Sequence, residues 1–185
     1  MKKLLVAAAV TSVATASLSA CGGSKAADPA TTQAISSLKQ HFLDEAKSDP
    51  TNPISTDANA ACVATGVVNQ VGIVNLKKYG VLDASGNAVS GNLENMNASK
   101  ADATTIVNVI FGCVGDAQVT KSVQDSLAKD AGSMSAAAAA CLKKAMDLDT
   151  MKAVLIAGFE GQSSADGKSE MAAFSAKIMA CATQK

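Results

Sequence analysis

Four cysteines in the body of the chain, Cys62, Cys113, Cys141 and Cys181, constrain its fold more than any other feature. Their number is even, which is typical of disulfide bonds in proteins outside the cytosol. A zinc site would instead need closely spaced pairs such as CxxC, and the sequence contains none. The single histidine, His41, lies far from all of them in sequence. We therefore expect two disulfides and no bound metal.

The chain contains two similar stretches, each with one cysteine near its start and one near its end. "ACVATGVVNQVGIVNLKKYG" and "ACLKKAMDLDTMKAVLIAGF" both begin with Ala-Cys, break once, and continue as a short amphipathic piece that ends at or beside a glycine. Gly80 and Gly158 suit the left-handed conformation that closes helices. A polar loop and a final helix follow in both. These features predict a duplicated unit of helix, short helix, loop and helix, over about residues 58–115 and 136–183.

The duplication favours one disulfide connectivity among the three that four cysteines permit. If the first and last helices of a unit are antiparallel, the start of one lies beside the end of the other. This arrangement brings Cys62 to Cys113 and Cys141 to Cys181. Closing loops of this length is expected to stabilise the fold by about 4 kcal/mol each through loop-closure entropy.

Apolar periodicity predicts an all-α fold, a small helical bundle of two similar disulfide-stapled helical units. Thr31 or Thr32 is expected to cap the first helix. The β-branched run 106–110 is also compatible with a strand, but Ser99 and Asp102 form a variant of the capping box and favour a helix. The residues predicted to share one face of their helices are Ile35, Leu38, Phe42 and Ala46; Ala103, Ile106, Ile110 and Cys113; Val119, Val123 and Leu127; and Met171, Phe174, Ile178 and Cys181.

The N-terminal stretch has the layout of a secretory signal peptide. Two lysines precede an uncharged run that reaches Cys21, and the small residues Ser19 and Ala20 come directly before that cysteine. The apolar part is short and contains Ser and Thr, which disfavours a permanent membrane span. We predict a signal peptide over residues 1–20 and a helical domain over residues 33–185.

The sequence Leu18-Ser19-Ala20-Cys21 resembles the lipobox of bacterial lipoproteins. The resemblance implies that Cys21 is diacylated on sulfur, that the leader is cut before it, and that Cys21 becomes the first residue. Two acyl chains hold a protein firmly on a membrane, since each buried methylene adds about 0.8 kcal/mol. Residues 21–32 are small and polar and are expected to form a flexible tether. The expected location is extracytoplasmic, anchored by lipid to the cell membrane.

A second resemblance concerns the repeated unit itself. "ACVATGVVNQVGIVNLKKYGVLD" followed by "SKADATTIVNVIFGCV" resembles a group of actinobacterial lipoproteins with a repeated two-cysteine helical unit. The likeness covers residues 60–115 well and residues 139–183 loosely. It implies an actinobacterial cell envelope. It transfers no functional residue, so the function has to be argued from this chain's own side chains.

Composition argues against several classes of function. All 16 basic residues are lysines, and removal of the leader with its two lysines leaves 14 against 16 acidic residues, a mature charge near −2. A nucleic-acid-binding domain would need a basic face, and bidentate recognition of phosphate by arginine is unavailable. We expect a membrane contact through the lipid, no nucleic-acid partner and no cofactor.

The residue types that perform catalysis are scattered along the chain. His41 is interpreted as a solvated or capping side chain, since no catalytic partner accompanies it. Asp147 and Asp149 lie at a helix break, where capping explains them. The methionines that a Cu(I) site would use are more typical of core filling: Met146, Met151, Met171 and Met179. We therefore predict that the protein is not an enzyme.

Two functions remain compatible with these residues. The first is a lipid-anchored envelope protein with a non-catalytic structural or binding role, for which another envelope protein is the candidate partner. The second is a carrier whose helices enclose an apolar small ligand such as a lipid or haem. A cavity lined by Val, Ile and Met would favour the carrier, and a tightly packed centre would favour the first function.

Overall fold

The computed structural model describes residues 28–49, 52–90, 96–130, 135–161 and 164–183. These residues form helices and no strand; the only β feature among them is an isolated bridge between Leu82 and Ala88. The predicted all-α fold is confirmed. The helices are α1 (Pro29–Ser48), α2 (Asp57–Val71), α3 (Ile73–Lys78), α4 (Lys100–Val114), α5 (Asp116–Asp130), α6 (Ala136–Ala145), α7 (Leu148–Glu160) and α8 (Ala165–Ala182).

Helix α1 begins earlier than the sequence predicted. Pro29 occupies its first turn, where the missing N–H costs nothing and the fixed φ suits a helix. Thr31 and Thr32 therefore lie inside the helix, so the prediction that one of them caps it is wrong. The predicted tether over residues 21–32 is correspondingly too long at its C-terminal end. The buried face is close to the predicted one and consists of Ala34, Leu38, Phe42 and Ala46.

The first unit consists of α2, α3 and α4. The Thr56 side chain accepts a hydrogen bond from the Asn59 backbone N–H and begins α2, and the Ser99 side chain accepts one from Asp102 and begins α4. The predicted cap at Ser99 is therefore confirmed, and run 106–110 is helical rather than extended. Gly72, with φ +85°, separates α2 from α3. This is the helix break that the sequence indicated.

Two contacts fix the register of α2 against α4. Cys62 is bonded to Cys113, and one turn further along α2 a Cβ atom at Gly66 would lie 2.6 Å from Cγ1 of Val109. Since the residue numbers rise on one helix as they fall on the other, the two helices are antiparallel. Only a residue without a side chain allows this close approach, because Val109 is stiff at χ1.

The second unit consists of α6, α7 and α8 and repeats the same order of elements. The Ser135 side chain accepts a hydrogen bond from the Ala138 N–H and caps α6. Ser135 precedes Cys141 by six residues, and the N-cap Thr56 precedes Cys62 by the same number. Asp147 caps α7 through the Thr150 N–H, which confirms the capping role predicted for it. Each unit is thus a pair of long helices joined by a disulfide.

The end of α7 differs from the prediction. Gly158 was expected to close this helix, but it lies inside α7, and Gly161 with φ +72° closes it instead. Tertiary contacts explain the extension: Phe159 packs against the main core, and Glu160 is buried at only 4% exposure. By contrast Gly80, with φ +75° directly after α3, has the predicted left-handed conformation.

The core lies in the first unit, between α1, α2 and α4. Helix α7 reaches it from the second unit through Leu155, Ile156 and Phe159. The loop before α4 also enters the core, since Met96 is fully buried. Helix α5 packs against α4 and α7 with Val119 buried and Val123 partly buried, as predicted; the side chain of Leu127 lies outside the described residues.

Candidate functional site

The four body cysteines form the two predicted disulfides. Cys62 pairs with Cys113 at a Cα–Cα distance of 5.6 Å, and Cys141 pairs with Cys181 at 5.4 Å. Each bond joins the sixth residue of the first helix of its unit to the end of the last helix. Disulfides form and persist in oxidising compartments, so this arrangement indicates an extracytoplasmic protein. Cys21 lies outside the described residues.

His41 is more buried than the sequence suggested. Its side chain is only 10% exposed, and Nε2 lies 3.1 Å from Oε1 of Glu45, one turn further along α1. The Glu45 carboxylate is close to Nε2, but the contact does not have the geometry of a hydrogen bond. The interpretation of His41 as a solvated or capping side chain is wrong, because the residue lies at the edge of the α1 face that packs on α2.

A polar cluster fixes the start of α4. The Tyr79 hydroxyl donates to Oδ2 of Asp102 at 2.6 Å and accepts a hydrogen bond from the Ser99 backbone N–H at 3.2 Å. Asn75 adds a longer bond of 3.3 Å to the same carboxylate oxygen. These side chains tie α3 and the loop after it to the first turn of α4. The cluster is a structural clamp, since its hydrogen bonds are made within the protein.

A second polar contact joins the two units. Lys100 at the start of α4 forms an ion pair of 2.9 Å with Asp166 at the start of α8. The Lys100 hydrogen bond and charge lower the pKa of Asp166, and the Asp166 hydrogen bond and charge raise the pKa of Lys100. Nearby, the Ala98 backbone N–H donates to the Phe159 carbonyl at 2.9 Å. The junction therefore combines backbone and side-chain contacts.

The methionines of the second unit divide into two pairs. Met146 and Met151 are buried, as expected for core filling, whereas Met171 is 39% and Met179 is 63% exposed. Within the described ranges, no group of three or more His, Cys, Asp or Glu side chains is arranged to hold a metal ion. Met171 and Met179 were both expected to fill the core, and Met171 to lie on an inward face, so their exposure corrects these predictions.

An apolar cavity of about 100 Å³ lies in the first unit beneath α1. Its walls come from α1, α2, α4 and α7, and include Phe42, Val67, Ile106, Ile110 and Phe159. Glu45 and Asn52 are the polar side chains in its lining. Sites for drug-sized ligands are typically about 300–1,000 Å³. The space is therefore too small for haem or for a whole lipid, and matches a small apolar group.

An uncharged surface that the described residues leave uncovered lies on α8. Gly167, Phe174, Ile178 and Cys181 form its buried or half-buried side, which packs on α6 and α7. The opposite side is exposed and uncharged over most of its length, and consists of Ser169, Ala172, Ala173, Ala176, Met179 and Ala180. We call these six residues the α8 seam.

No protein-family model matches this chain, and neither does any curated protein or solved structure. The function must therefore be argued from the chain's own geometry. In the part of the chain that the structure describes, no helix is both long and apolar enough to cross a membrane.

Sequence analysis found the disulfides but missed the α8 seam. The predicted apolar face, which includes Phe174 and Cys181, is the side that packs inward. The residues opposite are mostly alanine, whose helix propensity explains their presence without any partner. The available signal was the spacing of the uncharged positions 169, 173, 176 and 180, which follow intervals of four, three and four residues.

Proposed function

We propose that this chain is a lipid-anchored protein of the cell envelope with a non-catalytic binding role, and that it binds a protein partner through the α8 seam. The observation that supports the binding role is the exposure of this apolar helix face, including Met179 at 63%, on a helix fixed from behind by the Cys141–Cys181 disulfide. Exposed apolar patches on soluble domains are typical of interaction sites.

The lipid anchor is tested separately from the binding role. The lipobox at residues 18–21 motivates the variant Cys21→Ala, which removes the acylated sulfur and leaves the body cysteines unchanged. Wild-type protein is expected to partition into the detergent phase, and Cys21→Ala into the aqueous phase with an unchanged circular-dichroism spectrum. Equal partitioning of both proteins into water would contradict the anchor.

The binding role is tested by placing a photo-cross-linking amino acid at Ala176 in the host cell. The matched control carries it at Ala140, which is also an exposed helical alanine of the second unit but lies on α6. A specific cross-linked partner is expected only from position 176. Failure to cross-link any protein at that position, in cells that display the protein, would contradict the proposed role.

A second candidate function is the transport or capture of a small apolar molecule. The cavity of about 100 Å³ beneath α1 is the observation that favours it. Cavities lined by Leu, Ile and Phe stay dry and bind apolar molecules of the size of benzene. Native mass spectrometry of delipidated protein from its own host tests this function. An added mass that corresponds to a molecule of a few carbon atoms supports this function, and protein without added mass argues against it.

A further inference from the structure

We propose that the partner of the α8 seam is a second copy of the same chain, bound as an antiparallel, two-fold symmetric helix pair. The inference rests on the proposed binding role and identifies its partner. It is argued from the spacing, the exposure and the charges along α8.

The spacing of the seam fits a helix partner. Ser169, Ala173, Ala176 and Ala180 recur at intervals of four and three residues, the period at which one helix follows another along a coiled-coil contact. All of these positions are exposed in the single chain. The contact would extend for roughly 17 Å at 1.5 Å per residue. Small side chains allow two helix backbones to approach closely, as Gly66 does against α4 in the first unit.

The charges beside the seam favour a second copy in an antiparallel direction; within the chain, the charge of Glu170 also acts on Lys100 and that of Lys177 on Asp147. Glu170 and Lys177 are exposed on the same flank of α8, two turns apart. Antiparallel pairing of the seam brings Glu170 of each copy beside Lys177 of the other, which gives two equivalent ion pairs related by the two-fold axis. A parallel pair would place uncharged Ala172 near Lys177 and form no such ion pair. The opposite flank presents Ala172 and Met179 in the same self-complementary way.

The membrane anchor would strengthen a contact of this size. A seam made mainly of alanine buries little area, so the isolated domain is expected to associate weakly. Confinement of two lipid-anchored copies to one surface raises their effective concentration, as a flexible linker does for joined modules. The anchored protein is therefore expected to dimerise on membranes at a total protein concentration at which the unanchored domain in solution remains monomeric.

The test uses lipidated full-length mature protein on phosphatidylcholine–phosphatidylglycerol vesicles, with equal amounts of ¹⁴N- and ¹⁵N-labelled copies. A zero-length carbodiimide reagent couples a carboxylate to an adjacent amine. Within one helix, the backbones of Glu170 and Lys177 are separated by roughly 10 Å, a distance that the two side chains together can span, so only isotope-mixed peptides count as links between copies. We expect isotope-mixed Glu170–Lys177 peptides, which report pairs between copies.

Charge reversals provide the second measurement. Glu170→Lys alone and Lys177→Glu alone each place like charges across the seam, and each is expected to weaken dimerisation roughly tenfold. Mixing the two variants restores opposite charges, so a mixed dimer should form at the wild-type level. Lys144→Glu makes the same change of charge on α6 and is expected to dimerise like wild type.

Each outcome decides the inference. Isotope-mixed Glu170–Lys177 links together with recovery in the mixture support it. Monomers on vesicles, links that avoid these residues, or equal behaviour of single variants and mixture overturn it. If the photo-cross-linker at Ala176 captures a different protein in cells and no second copy of this chain, the seam remains a binding surface and only the identity of the partner is wrong. If it captures nothing, the proposed function fails as well.

Discussion

In the first unit, α2 packs along α1, and α4 packs against α7 of the second unit. Leu76 and Val107 are fully buried as a result. In the second unit, α6 and α8 are joined by an equivalent disulfide, yet Phe174 and Ile178 are only half-buried and Met179 is mainly exposed. The two units share their order of helices, their hydroxyl N-caps and their cysteine positions. They differ in how much of each helix the rest of the chain covers.

This difference separates two sources of stability. A disulfide stabilises a fold chiefly by restricting the unfolded chain, whereas a core stabilises it by removing apolar surface from water. The first unit has both. The second depends more heavily on its disulfide, and within the described residues one side of its α8 stays exposed.

The largest expected effect is the loss of one disulfide. The loops closed span 51 residues in the first unit and 40 in the second, so removal of either bond through paired Cys→Ala changes should cost about 4 kcal/mol. The structural result should differ between the units. Without Cys141 and Cys181, amide hydrogens of α6 and α8 should exchange rapidly while α2 and α4 stay protected.

Without Cys62 and Cys113, helices α2 and α4 should keep most of their protection, because Val63, Val67 and Val107 still pack between them. Hydrogen-exchange mass spectrometry of both variants makes the comparison. Protection of α6 and α8 at wild-type levels in the Cys141→Ala/Cys181→Ala variant would show that the second unit has a sufficient core of its own.

A buried leucine and a half-buried isoleucine test the same contrast. Leu76→Ala removes a fully buried side chain of the first unit and should cost about 2–5 kcal/mol. Ile178→Ala removes a side chain that is only half-buried on α8, so about 1 kcal/mol is expected. Urea unfolding followed by circular dichroism measures both. Equal losses would contradict the difference in packing between the units.

Two glycines in the first unit should respond to alanine with opposite signs. A methyl group at Gly66 would lie 2.6 Å from Val109, and overpacking of this kind costs about 1–3 kcal/mol. A methyl group at Gly112, on the facing helix, meets nothing within 4 Å, so the better helix propensity of alanine should stabilise by about 0.5–1 kcal/mol.

The cause of the Gly66 effect is checked by a second substitution. Val109→Ala removes the clashing methyl groups, so the double variant Gly66→Ala/Val109→Ala should lose less stability than the sum of the single changes. Strict additivity in urea unfolding would show that the close approach of α2 and α4 is not the reason that position 66 is glycine.

The sequence predicted the features that depend on local chemistry. Ser99 and Asp147 cap helices as expected, and the early and late positions of the cysteines predicted both pairings. It failed where tertiary contacts decide: Gly158 continues a helix because Phe159 and Glu160 beyond it are held by packing.

Helical periodicity identifies an apolar face but does not say what covers it. The faces that include Leu38 on α1 and Phe174 on α8 have the same period in the sequence. Leu38 is fully buried in the core, whereas Phe174 is only half-buried. Whether another element reaches a face depends on contacts that are distant along the chain, and for this reason the α8 seam was not predicted.

The smallest predicted effect concerns the ion pair between the units. Lys100 lowers the pKa of Asp166, so the pair's contribution is fully present above the ordinary carboxyl pKa of 3.8 and is lost as the pH falls through the lower folded-state value. Asp166 raises the pKa of Lys100 from 10.5, so the contribution persists at high pH until Lys100 itself loses its proton. Asp166→Asn should therefore lower the melting temperature slightly at about pH 7, and the difference should shrink as the pH falls below 3.8. Both side chains are about two-thirds exposed, so added salt should remove the difference at neutral pH as well. A difference that persists in acid or in high salt would mean that Asp166 acts through the first turn of α8 rather than through Lys100.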